Sequence, residues 1–259
     1  DVNKSCSWLK RAFDFGLIKS WSLDLIQNLP GSGLKEWESD LENSLKFNPP
    51  HISIYDLSIE AGTVFKRLFD LEKLSLPNDE EAFKNAEKTS SILNGCGYSR
   101  YEISNYSLPG HQSRHNRVYW KGTGWWSFGQ GSTSSPWGQK FTRPRISSEY
   151  KKWVTNQNEV NLDNSLANKE ILYKDLDEKL MLGLRIKEGI NIEQLFDEQN
   201  WDKKTTQINL NKLLVVWDKY IESGLLVRRG NRFFLSDPKG MELSNQVLID
   251  MFNWWEKIN

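Results

Sequence analysis

Apolar positions along this chain fall into two successive rhythms. Trp8, Leu9, Ala12 and Phe13 share one helical stripe within residues 5–15, which Gly16 closes. Trp21 to Ile26 alternate and end in apolar residues, as a strand does. Asn28 to Gly33 form a turn cluster, after which Leu34, Trp37, Leu41 and Leu45 recur at helical spacing until Pro49-Pro50. His51 to Ile59 read as a second strand, with Ile52, Ile54 and Leu57 apolar. Strand, helix, strand predicts a right-handed parallel crossover. A longer helix is expected over Asp79–Leu93, capped by Asn78 with Glu81 reaching back and ended by Gly95 and Gly97. Tyr98–Ile103 predict a third strand and Trp125–Phe128 a short fourth. This alternation indicates part of an α/β barrel or an open α/β sheet.

Beyond Ile146 the rhythm turns helical, over 147–156, 173–184, 191–197 and 204–223. Gly224 stops the last of these. Leu225–Arg229 and Arg232–Leu235 flank Gly230-Asn231, the pattern of a two-residue hairpin, and a final helix is expected over Pro238–Phe252. Helices, hairpin and helix outline a winged-helix-like module. Two domains follow, 1–145 and 146–259.

Composition narrows the function classes. The 259 residues are 38% apolar and 12% aromatic, enough for a sizeable core despite a mean hydropathy of −0.63. Lys+Arg and Asp+Glu both total 34, so charge offers no case for nucleic acid or an anionic membrane surface. Arg228, Arg229 and Arg232 on the hairpin invite a DNA reading. Residues 171–259, however, carry thirteen basic and fourteen acidic residues, with no basic face. No apolar run has the length of a transmembrane segment. Two distant cysteines, Cys6 and Cys96, fit a reducing, cytoplasmic setting without disulfides. The chain opens on Asp1 as if inside a helix, so a preceding segment is expected.

Candidate chemistry gathers in Tyr98–Ser135, which holds two of the three histidines among many aromatic rings. Read as a long ordered loop, it suits a flat, apolar ligand that can carry a metal. His115 precedes Tyr119 by four positions, so the two share a side whether the segment is helical or extended. Imidazole is a common axial ligand for haem iron. Against this stands a plain reading, in which His115 and Asn116 tie the segment together while Tyr119 and Trp120 enter the core. His111 reads as solvated. His51, after two prolines, reads as a satisfied structural residue. Asp24, at the end of a parallel strand, either points to a barrel mouth or bonds the turn that follows it. Gly129–Ser135 suits an anion-binding backbone or a plain loop equally.

The order of motifs resembles the oxygen-independent coproporphyrinogen III oxidase-like branch of the radical S-adenosylmethionine (SAM) family. Leu23-Asp24-Leu25-Ile26 with Leu29-Pro30-Gly31 carry the resemblance first, followed by Glu36-Trp37, His51-Ile52-Ser53-Ile54-Tyr55 and Ile59 to Phe65. Tyr101 to Tyr106, Ser113 to Asn116, Tyr119-Trp120, Lys179 to Arg185 and Glu188-Gly189 extend it over nearly the whole chain. The His115-Asn116-x-x-Tyr119-Trp120 signature resembles the haem-chaperone side of the branch more than the decarboxylating oxidase.

The resemblance implies the C-terminal part of a partial TIM-like (β/α) barrel followed by a small helical, winged-helix-like domain. It implies SAM and a [4Fe-4S] cluster in the complete protein, with haem as a further ligand. Asp24 and Thr133 match SAM-contacting positions. His115, Asn116, Tyr119 and Trp120 match the haem site, with His115 as iron ligand. A haem-acceptor protein and a second copy of the chain are the partners implied. The Cys-x-x-x-Cys-x-x-Cys loop and the first barrel strands are absent here. Where the family has Gly-Phe-Gly-Pro-Gly-Ala-His-Ser, this chain reads Ser127 to Ser134, with Thr133 at the histidine position. The implied function is haem binding and delivery, the alternative being oxygen-independent coproporphyrinogen III oxidation. No cluster chemistry is expected from these residues alone, and exposed strand edges imply poor solubility.

Overall fold

Two six-residue parallel strands, β1 (Ser22–Gln27) and β2 (His51–Asp56), anchor the first half, paired from Ser22 with His51 to Gln27 with Asp56. The computed structural model describes residues 1–136, 140–159 and 175–258, without the side chains of 157–159. Helix α1 (Val2–Asp14) precedes β1, and α2 (Leu34–Leu45) connects the two strands as the apolar spacing requires. A seven-residue helix α3 (Val64–Asp70), capped by Thr63, follows β2. Helix α4 (Asp79–Gly95) then begins on the expected reciprocal cap. Asn78 Oδ1 accepts from Glu81 N at 3.0 Å, and Glu81 Oε2 accepts from Asn78 N at 3.0 Å.

The third predicted strand becomes a hairpin. β3 (Ser99–Glu102) turns at Ile103-Ser104 into β4 (Asn105–Ser107), which inserts antiparallel beside β2. The sheet order is therefore β1-β2-β4-β3. Trp37, Leu41, Ile52, Ile54, Leu93, Tyr98 and Tyr106 bury one face of this sheet under α2 and α4. The pleat sends the alternate residues the other way. Ser22, Asp24 and Ile26 share a face with His51, Ser53 and Tyr55, and Ile26 and Tyr55 remain 48% and 42% exposed. The outer edge of β1 has no strand partner among the described residues.

The stretch from Tyr98 to Ser135 is not one loop. After β4 comes α5 (Arg114–Trp120). No strand forms at Trp125–Phe128. Trp125 exchanges single backbone bonds with Ser135 in an isolated bridge, and Ser127 N is bound by the Ser134 hydroxyl instead of a carbonyl. The local strands are β5 (Thr133–Ser134) and β6 (Phe141–Thr142).

Helix α6 (Ser147–Glu159) opens the second half. It continues with α7 (Leu176–Leu184), β7 (Ile190–Asn191), α8 (Ile192–Asp197) and α9 (Lys203–Glu222). The start of the helix expected over 173–184 lies outside the described residues. The predicted hairpin is present as β8 (Leu226–Arg229) and β9 (Arg232–Leu235), with β7 added beside β9. Two helices, α10 (Lys239–Glu242) and α11 (Ser244–Ile258), replace the single final helix. Leu176, Leu180, Phe196, Leu213, Trp217, Phe233 and Met251 form the core of this winged-helix-like unit.

The halves meet through β3. Lys187 N donates to Tyr101 O at 3.0 Å, and Ile186 bridges Glu102, so the second half covers that sheet edge. Buried Arg100 reaches Glu242 at 2.7 Å and Asp237 at 3.2 Å. No helix among the described residues is long and apolar enough to cross a membrane.

Candidate functional site

The open face of β1 and β2 forms the floor of a cleft of about 700 Å³. Asp24, His51, Ser53 and Tyr55 line it from the strands, and residues 110–114 and Asn116 wall it from the segment entering α5. Asp24 is exposed on this floor. Its Oδ1 accepts from Ser22 Oγ at 3.1 Å. The carboxylate lines the cleft with acceptor capacity to spare, suited to a hydroxyl or ammonium donor.

His51 is 5% exposed and satisfied at both ring nitrogens. Nδ1 lies 2.8 Å from Ser22 Oγ and Nε2 lies 2.8 Å from the Tyr101 hydroxyl. Burial pushes its pKa below the ordinary value of 6.5; the Asp24 charge opposes this and His111 adds to it. Tyr101, fully buried, has its hydroxyl pushed up to about 12 by the same desolvation. That oxygen accepts from Ser113 N at 3.3 Å and from the Asn116 side chain.

Ser113 also caps α5, its hydroxyl accepting from Asn116 N at 3.2 Å. No glycine or proline interrupts the next seven residues, and Gly122, at φ +65°, ends the helix. Helical spacing then divides the signature between two faces. His115 and Tyr119 share the outer one, with Nε2 of His115 3.1 Å from the Tyr119 hydroxyl and the rings edge-on at 5.0 Å. Trp125 continues this aromatic surface at 4.8 Å from Tyr119. Asn116 faces the cleft, and Trp120, one turn on, bonds the buried Glu102. Burial raises the Glu102 pKa even though Ser104 N, Asn105 and Trp120 bond it.

Asp24 and Asn116 therefore meet in one cleft, while His115 and Tyr119 lie on the adjacent outer face. Tyr119 and Trp120 are half-buried, not core residues. Thr133 lies outside the cleft lining. Its hydroxyl bonds Thr142 Oγ1 at 2.7 Å, and its carbonyl accepts from Trp125 Nε1 at 3.1 Å. His111 is half-buried, with Nδ1 3.1 Å from Ser20 Oγ.

No family model matches the chain. It is 34% identical over 248 residues to the heme chaperone HemW of Synechocystis sp., covering 91% of this chain and 59% of that protein. HemW of Lactococcus lactis is 29% identical over 245 residues, covering 90% of this chain and 59% of the relative. Among solved structures, the radical SAM enzyme coproporphyrinogen III oxidase (HemN) from Escherichia coli matches with a TM-score of 0.64 at 15% identity, over 96% of this chain and 58% of that one. By sequence the chain is a relative of the HemW proteins, and its fold is that of a radical SAM enzyme.

The likeness in fold matches the open four-stranded sheet to part of that radical SAM fold. The chain spans 59% of the length of the first curated relatives it matches. Its own residues do not fit an iron–sulfur cluster. Cys6 is buried in α1, Cys96 is exposed at the end of α4, and no group of three His, Cys, Asp or Glu among the described residues could hold a metal ion. Asp24 does fit a polar ligand such as SAM. Sequence reasoning gave Tyr101 no role at the site and missed the pairing of Arg117 with Glu188 at 2.6 Å, which ties α5 to the second half. Neither carries a local signal, since each partner lies far away in sequence.

Proposed function

We propose that the complete protein is a haem chaperone, binding haem and delivering it to an acceptor protein. The observation that carries this reading is the exposed His115 imidazole, edge-on to Tyr119 and continuous with Trp125. One ring nitrogen engages the Tyr119 hydroxyl and the other is left for haem iron. A second partner of this kind fixes the orientation of a ligating ring. Tyr119 and Trp125 offer apolar ring surface to the porphyrin. The names of the curated relatives support the same reading.

Asp24 would hold SAM through hydrogen bonds from its hydroxyl or ammonium groups, beside a [4Fe-4S] cluster whose ligands lie outside this chain. Bound together, those groups supply radical chemistry. The residues present here bind and orient. Thr133 is assigned to the same SAM site by resemblance alone. The reading includes a cytoplasmic protein whose functional units are residues 1–145 and 146–259, able to form a homodimer.

The deciding experiment assays the complete, cluster-reconstituted protein for coproporphyrinogen III turnover and for haem retention on a desalting column. Haem retained without decarboxylation is expected. Decarboxylation at an enzymatic rate overturns the chaperone reading in favour of the oxidase.

A further inference from the structure

The two ends of the cleft are joined by a chain of hydrogen bonds with only one consistent direction. A carboxylate can only accept, so the Ser22 hydroxyl spends its proton on Asp24. Ser22 Oγ must then accept from His51, which places the ring proton on Nδ1. Nε2 of the neutral ring keeps its lone pair and accepts from the Tyr101 hydroxyl. The Tyr101 oxygen in turn accepts from Ser113 N and the Asn116 amide. Every donor between Asn116 and Asp24 points toward Asp24.

We propose that His51 is a positioning residue that couples Asp24 to α5, setting the helix that presents His115. This rests on the haem reading above. A merely satisfied core histidine could find both partners on its own or an adjoining strand. His51 instead links β1 to β3 past β4, which already supplies the pairing on that side. It ends on the two groups, Ser113 and Asn116, that set the start of α5. Glu102 also bonds α5, but at Trp120 in its last turn, away from the cap that Tyr101 reaches. A polar ligand donating to Asp24 competes with the Ser22 hydroxyl for that carboxylate, and the change passes through His51 and Tyr101 to the cap of α5.

The test uses the full chain in wild-type form and as Ser22→Ala, Tyr101→Phe and the double variant. Each single change removes one hydroxyl, and circular dichroism confirms retained folding. Haem titration should show affinity falling about tenfold in Tyr101→Phe and measurably in Ser22→Ala, with the double variant no weaker than Tyr101→Phe. Effects that simply add, or no effect of Ser22→Ala, overturn the coupling. A second readout is independent of haem. With three histidines, the imidazole nitrogens resolve by ¹⁵N NMR. His51 should show the neutral Nδ1–H tautomer, and the ring signals of His115 should move in both single variants. An Nε2–H tautomer or an unmoved His115 removes the relay. Absence of haem binding by wild type, with the tautomer present, would instead sink the chaperone reading.

Discussion

Nε2 of His51 and the hydroxyl of Tyr101 lie 2.8 Å apart, joining β2 to β3 across the strand between them. With the phenol as donor the bond needs a neutral imidazole, because a doubly protonated ring has no acceptor to offer.

Acid should therefore weaken the fold through this ring. The unfolded imidazole, at its ordinary 6.5, takes a proton that the buried ring resists. The unfolded state then binds more protons, so stability falls as pH drops. The contribution is complete above 6.5 and lost as pH falls through the lower folded value. Asp24 opposes the shift and His111 reinforces it. Urea unfolding at about pH 7.5 and about pH 5.5 should show a smaller loss of stability in His51→Phe than in wild type. An equal loss in both would exclude His51 as the source.

Arg100 is the main polar weld between the halves. Its side chain is 6% exposed, and its partners Glu242 and Asp237 are 16% and 29% exposed. Arg100→Met strands a buried carboxylate at Glu242, and removing one member of such a pair costs about 3 kcal/mol. Denaturant titration at neutral pH should show that loss, with the unfolding of the two halves becoming separable. A loss under about 1 kcal/mol would mean that the pair is solvated.

Two glycines with similar backbones should respond differently. Gly189, at φ +62°, leaves no room for a Cβ, which would fall 2.1 Å from the Phe233 carbonyl oxygen. Gly230, at φ +61°, faces open space. Gly230→Ala should cost only the left-handed backbone penalty, about 1 kcal/mol. Gly189→Ala adds overpacking and should cost at least about 2 kcal/mol more. Comparable melting temperatures for the two variants would contradict the packing shown.

Local chemistry made much of the fold legible. Asn78 and Glu81 announced α4, and Gly230-Asn231 announced the hairpin, because each works through neighbours three residues apart or fewer. The strand β4 was hidden. Its turn, Ile103-Ser104, carries no glycine or asparagine and is held by Glu102, which accepts from Ser104 N at 2.9 Å and from the Asn105 amide. Helix α3 was hidden too, being short and buried nowhere along its length. At the site, Asp24 and the His115-to-Trp120 signature could be singled out as motifs. The bond from His51 to Tyr101 could not, because it joins residues fifty apart through the register of three strands.

Haem titration of the complete protein, followed at the Soret band for wild type and His115→Ala, tests the central claim most directly. Wild type should bind with a shifted Soret maximum. His115→Ala should lose that shift and bind at least about tenfold more weakly, while Tyr119→Phe, which keeps the imidazole, should retain the shift. An identical spectrum and affinity in His115→Ala would remove this imidazole from the haem site and contradict the account.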